Sequence, residues 1–166
     1  HIFFINLYKS KQYKGCRIDF NIGGKMTSWD YLRLEIGDAI PTLELNKISR
    51  SSLALYSDAS GDYNPIHTDI EFAKKSGLPD VIAHGMLVMS YLGRALTNAF
   101  PHTSLTNFSS QFVSMTQIND RLFCSGKITK KEKDSNNDTI LTISLRVLNK
   151  SGEKRITGKA TILIKS

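Results

Sequence analysis

Hydrophobic positions follow two regimes along the 166-residue chain. After Pro101 apolar and polar residues alternate, the period of a half-buried strand. The pattern is clearest at Leu141, Ile143, Leu145 and Val147. It predicts strands near 105–116, 121–132, 139–148 and 156–165, with hairpin turns in "DSNND" at 134–138 and "NKSG" at 149–152. Upstream, "IPTLELNKI" at 40–48 alternates over Leu43 and Leu45 and predicts a fifth strand. Between these strands the spacing is helical. Ser49 or Ser51 can cap a helix that turns Leu53, Tyr56 and Ala59 inward, and Gly61 suits its C-terminal boundary. Thr68-Asp69-Ile70-Glu71 matches a capping box, so a second short helix starts after His67 and stops near Gly77. The third helix spans 86–99, roughly 20 Å at the standard rise. Met86, Met89, Leu92, Leu96 and Ala99 make one apolar face, widened by Leu87, Val88 and Ala95. A helix this apolar calls for other structure wrapped around it. The fold class is therefore α+β: a mostly antiparallel sheet of about five strands crossed by one long central helix.

Residues 1–25 lack this regularity. They hold Lys9, Lys11, Lys14, Arg17 and Lys25 against Asp19, which accounts for +4 of the net +7. Two readings of the segment stand. It is an extension upstream of a natural start at Met26, leaving 26–166 as the domain, or it is an N-terminal strand and linker. With 40% hydrophobic and 22% charged residues the composition is that of a folded globular protein, and the length suits one domain. The body carries no aromatic-interleaved basic stripe, which counts against nucleic acid as a partner. A mild positive balance suits an anionic carrier such as coenzyme A or an acyl carrier protein. Cys16 and Cys124 stand far apart with no CxxC, which argues against a disulfide framework or a zinc site and fits a reducing compartment. The longest apolar run, 85–100, contains Arg94 and is too short to cross a bilayer, and the first twelve residues make a poor signal peptide. The expected location is cytoplasmic, without membrane association.

The chemistry concentrates in "SGDYNPIH" at 60–67 and "AHGM" at 83–86. Turn chemistry alone accounts for Gly61, Asp62, Asn64 and Pro65. It does not account for His67. A carboxylate and an imidazole held together can grip one water molecule and move its protons, so Asp62 and His67 form a candidate acid–base pair. Asn64 is placed to hydrogen-bond backbone or catalytic groups, and Pro65 stiffens the turn. Gly85 opens the long helix, where a backbone N–H is an unpaired donor with the helix dipole behind it, suited to a developing oxyanion. His84 reads as a buried, hydrogen-bonded neighbour.

The stretch "LYSDASGDYNPIHTDIEFAKKSGLPDVIAHGMLVMSYLGRAL" at 55–96 resembles the MaoC-like dehydratases, or (R)-specific enoyl-CoA hydratases, and is similar to the (3R)-hydroxyacyl-ACP dehydratase subunits of that group. The family pattern is met at Tyr56, Ser60, Gly61, Asp62, Asn64, Pro65, Ile66, His67, Ala83, His84, Gly85 and Met86. The resemblance implies a single hotdog fold, with the long helix enclosed by the sheet. It implies a hydro-lyase that adds water to a trans-2-enoyl thioester to give the (R)-3-hydroxyacyl thioester, with Asp62 and His67 holding the water and the Gly85 N–H polarising the thioester carbonyl. Ser60, Asn64, Pro65 and His84 would support them. No metal and no redox cofactor is expected, since the substrate arrives as a CoA or ACP thioester. A homodimer, or a heterodimer with another hotdog subunit, is expected. Two alternatives use the same fold: a dehydratase of ACP-bound substrates in fatty acid synthesis, and a non-catalytic acyl-binding subunit, against which the retention of Asp62 and His67 counts. One position departs from the pattern: Gly93 stands where some members have Ser, and Ser90 is its nearest neighbour of that type.

Overall fold

The computed structural model describes residues 2–6, 18–22 and 25–166, with side chains from Trp29 onward. The rest of the 1–25 segment, residues 1, 7–17, 23 and 24, lies outside the described residues. In chain order the strands are β1 (Ile2–Asn6), β2 (Ile18–Ile22), β3 (Lys25–Trp29), β4 (Leu43–Lys47), β5 (Leu105–Phe112), β6 (Arg121–Lys133), β7 (Thr139–Asn149) and β8 (Lys154–Ile164). The helices are α1 (Arg50–Ser60), α2 (Ile70–Lys75) and α3 (Gly85–Ala99).

The five strands expected from the alternation are β4 to β8. They form one antiparallel sheet in the order β5-β8-β7-β6-β4, and β1 adds a sixth strand beside β5. A separate hairpin pairs β2 with β3, where Met26 lies opposite Asn21. β7 explains the sheet's inner face. Its Leu141, Ile143, Leu145 and Val147 are all buried, as period-two patterning requires. α3 packs across β5, β6 and β7. Its Leu92 is wholly buried, with Met89, Leu96 and Ala99 buried beside it. Gly158 of β8 lets the β5 backbone come close: a Cβ there would stand 2.7 Å from the Ser109 carbonyl oxygen, whereas Leu92 Cδ2, at 3.6 Å, would be in ordinary contact.

Several local expectations are corrected. The 105–116 strand ends at Phe112: the Val113 N–H still meets the in-register Arg155 carbonyl (2.9 Å), but the Ser114 N–H turns back to that same carbonyl (3.4 Å) and regular pairing stops. Met86, expected on the inner face of α3, is 39% exposed, while Leu87, Val88 and Ala95 are buried. The helix begins at Gly85, and Met86 lies on the face of its first turn opposite the buried Leu87 and Val88. In α1, Ala59 is exposed and Ser57 is buried with Leu53. Ser49 is the N-cap of α1 and Gly61, at φ 73°, closes it. The cap of α2 is Asp69 rather than Thr68. Its carboxylate accepts from the Glu71 and Phe72 N–H groups, and a charged acceptor outcompetes the hydroxyl one residue earlier. No helix among the described residues is long and apolar enough to cross a membrane.

Candidate active site

The turn between α1 and α2 is built by short side chain–backbone bonds. Gly61 reverses the chain out of α1, and the Ser60 Oγ–H donates to the Tyr56 carbonyl (2.6 Å) while accepting from the Asp62 N–H (3.3 Å). The Asn64 N–H donates to Asp62 Oδ1 (3.3 Å), and Asn64 Oδ1 accepts from the Ile66 N–H (3.2 Å). Asn64 thereby caps the single 3-10 turn Pro65–His67, with Pro65 at its first position. Ser60, Asn64 and Pro65 are therefore the frame, and none of their side-chain bonds described here reaches His67.

That frame divides the two oxygens of Asp62. Oδ1 is held by the backbone of its own turn, and Oδ2 lies 4.0 Å from His67 Nε2. The other ring nitrogen of His67, Nδ1, is 2.8 Å from the Ile82 carbonyl. A carbonyl can only accept, so Nδ1 carries the proton, and in the neutral ring Nε2 presents its lone pair toward Asp62. A separation of 4.0 Å exceeds a direct hydrogen bond. A water oxygen about 2.8 Å from each group would meet them at roughly a right angle, close to the angle its own two protons subtend.

His84 supports this pair from behind. Its ring stacks on His67 with centroids 3.8 Å apart and planes 28° apart, and Tyr56 flanks its other neighbourhood at 4.9 Å. His84 Nε2–H donates to the Asp62 main-chain carbonyl (3.2 Å) and lies equally near Ser57 Oγ. Nδ1 is then an acceptor, buried and without a hydrogen-bond partner among the described residues. Burial first, and the adjacent His67 second, push the His84 pKa down, which keeps the ring neutral. Burial and the Asp62 charge push the Tyr56 phenol up. His84 is thus buried and hydrogen-bonded, and it links the Asp62 main chain to the His67 ring.

Gly85 is the first residue of α3, so its N–H has no partner within the helix. His67 and Gly85 both line a cavity of about 330 Å³, together with Val88, Phe112, Met115 and Thr116. Phe112 lines the cavity, while Met89 and Leu92 are buried in the core. The segment after β5, including Met115 and Thr116, was hidden from sequence reasoning because it reads as more strand. Ser90 takes no part: its Oγ–H donates to the Leu87 carbonyl (2.7 Å) within its own helix. Gly93 faces Phe108, and a Cβ there would make ordinary contact at 3.5 Å. Cys124 is buried with its thiol pushed up to about 12 by desolvation, which makes it inert.

Asp62, His67 and His84 also offer ligating atoms within 4.8 Å of one another. The donor set suits an ion poorly. His84 Nε2 is committed as a donor to the Asp62 carbonyl, and two stacked imidazoles aim their lone pairs within nearly parallel planes.

Residues 34–154 match the model of the MaoC like domain. The chain is 34% identical over 89 residues to the mitochondrial 3-hydroxyacyl-[acyl-carrier-protein] dehydratase of Arabidopsis thaliana, covering 54% of this chain and 52% of that protein, about half its length. It is 25% identical over 118 residues to the (R)-specific enoyl-CoA hydratase of Aeromonas caviae, covering 70% of this chain and 86% of that protein. Among solved structures, the unliganded R-hydratase PhaJ1 of Pseudomonas aeruginosa superimposes with a TM-score of 0.71 at 26% identity, over 83% of this chain and 86% of that one. The fold is the expected hotdog.

Proposed function

The chain belongs to the MaoC-like domain family, and from that premise we propose that it is a hydro-lyase acting on acyl thioesters, adding water to a trans-2-enoyl thioester to give the (R)-3-hydroxyacyl product. The observation that carries the reading is the 4.0 Å gap between Asp62 Oδ2 and His67 Nε2, with the His67 tautomer set by the Ile82 carbonyl at the wall of a cavity. A water in that gap is held by both groups. His67 Nε2 takes one of its protons as the oxygen bonds to C3, and the thioester becomes enolate-like. The Gly85 N–H stabilises the charge that develops on the thioester oxygen, a donor of a kind typically worth about 3 kcal/mol. His67 then returns the proton to C2, so both parts of the water molecule add from the same side. The reverse sequence is dehydration.

Val113 and Met115 line the cavity yet are more than half exposed, and Met86 next to Gly85 is also exposed. A second hotdog subunit, the same chain or a related one, would cover them and close the acyl pocket. Hydration of crotonyl-CoA and of crotonyl-ACP, with chiral analysis of the product, tests the proposal. Turnover of either to the (R)-3-hydroxy thioester is expected. A folded protein that turns over neither carrier, or that yields the (S) product, would overturn it.

A further inference from the structure

We propose that Arg155 is a positioning residue for this site: it clamps residues 114–120, and through them sets the Ile82 carbonyl that orients His67 and the turn that presents Gly85. The inference deepens the hydro-lyase reading and rests on it only for its activity readout.

Arg155 is 7% exposed and lies at the start of β8, outside the cavity's chemistry. Its Nη2 contacts Asp120 Oδ2 at 2.9 Å and Glu153 Oε2 at 3.0 Å, and its Nη1–H donates to Ser114 Oγ at 3.0 Å. Ser114 Oγ–H in turn donates to the Lys154 carbonyl (2.7 Å), and the Arg155 carbonyl accepts from the Val113 and Ser114 N–H groups. At the other end, Asp120 Oδ2 also accepts from the Gln117 N–H (3.0 Å), while Oδ1 accepts from Asn149 Nδ2 (3.3 Å). One guanidinium therefore ties down both ends of the segment that carries Met115 and Thr116 into the cavity wall.

From this segment two links run into the site. The Thr116 carbonyl accepts from the Ala83 N–H (2.9 Å), and Ile82 forms an antiparallel bridge with Gln117. Ile82 supplies the carbonyl bound to His67 Nδ1, and Ala83 directly precedes His84 and Gly85. The bridge thus joins the clamp to both halves of the reacting geometry.

A buried ion pair is a weak source of stability, because desolvation offsets the attraction, and apolar replacements are often as stable. Here the Nε of Arg155 is left buried without a partner among the described residues, a further cost. What the arrangement provides is direction. Arg presents donors in a rigid fork that reaches Asp120, Glu153 and Ser114 at once, whereas Lys offers a single flexible ammonium.

The test compares the full chain with Arg155→Lys and with Ser114→Ala, which keeps the Asp120 and Glu153 pairing and so protects against a variant that fails to fold. Three readouts are taken: ¹⁵N shifts of the His67 ring, hydrogen exchange of the Ala83 amide, and kcat and KM on crotonyl-CoA. In Arg155→Lys, Ala83 exchange is expected to accelerate about tenfold or more while the Ile143 and Leu145 amides keep their protection. The His67 shifts should move from a pure Nδ1–H form toward a mixture, and kcat should fall about tenfold with KM nearly unchanged. Ser114→Ala should move all three in the same direction by less. Unchanged Ala83 exchange and His67 shifts in a folded variant would overturn the proposal. So would exchange that accelerates equally at Ile143 and Leu145, since that marks structural cement alone. If the wild-type protein does not hydrate crotonyl-CoA, the activity reading fails while the exchange and shift readouts still decide the clamp.

Discussion

Gly85 carries the most local of the predictions. A Cβ built at this position lies 3.1, 3.3 and 3.4 Å from Cε1, Cζ and Cδ1 of the Phe112 ring. Gly85→Ala keeps the N–H and a backbone that any residue can adopt, but the ring or the start of α3 must give by a few tenths of an ångström. Deleting an oxyanion donor outright costs about 3 kcal/mol in barrier, so displacing one by this much should cost about 1–2 kcal/mol, roughly five- to thirtyfold in kcat/KM. Stability should change by less than about 1 kcal/mol, because at the first helical position the preference of Ala over Gly is smaller than in a helix interior and acts against the crowding. The assay is steady-state hydration of crotonyl-CoA beside urea unfolding, repeated with Phe112→Leu and with the double variant. Shortening Phe112 relieves the clash, so the double variant should recover most of the loss, a coupling of the kind a double-mutant cycle isolates. Wild-type kcat/KM in Gly85→Ala, or a loss that Phe112→Leu does not relieve, would refute the reasoning.

Leu92→Ala, at the wholly buried centre of α3, should cost about 2–5 kcal/mol of stability by urea unfolding, with the spread set by how far the sheet collapses onto the cavity. His84 titrates below its ordinary value of 6.5 in the folded chain, so its contribution to stability is complete above that pH and is lost as pH falls through the folded value. Wild-type stability should therefore drop more steeply below about pH 6.5 than that of His84→Asn; parallel curves would contradict the assignment. Light scattering at micromolar concentration should give a dimer, or a monomer that pairs only when a second hotdog subunit is added, and a fully active monomer would exclude both.

The legibility of the fold varies with the range of the interactions involved. β7 and the core face of α3 could be read directly, because period two and period 3.6 are local signals and Leu141 to Val147 and Met89 to Ala99 obey them. The ends were harder. Met86 has the chemistry of a core residue but is exposed beside the buried Leu87 and Val88, and only the tertiary arrangement decides which of the three turns inward. Thr68 and Asp69 both satisfy a capping pattern, and the choice rests on charge. Residues 113–116 look like strand because the pairing stops only where the Val113 and Ser114 N–H groups share the Arg155 carbonyl, a tertiary contact some forty positions away. In the site, Asp62, Asn64, Pro65 and His67 were legible because one turn contains them. The Ile82 carbonyl was not, since a main-chain acceptor leaves no side-chain signature. His84 was seen as a buried neighbour, but its stacking on His67 needs the two loops brought together.

The central claim is that Asp62 and His67 act as one unit on a single water. Its most direct measurement is crotonyl-CoA hydration by Asp62→Asn, His67→Gln and the double variant, each shown to be folded. Each single change should lower kcat by about 10²–10⁴, and the double variant should be no worse than the poorer single one, because either change already empties the shared site. Near wild-type turnover in either single variant, or losses that multiply in the double, would contradict it.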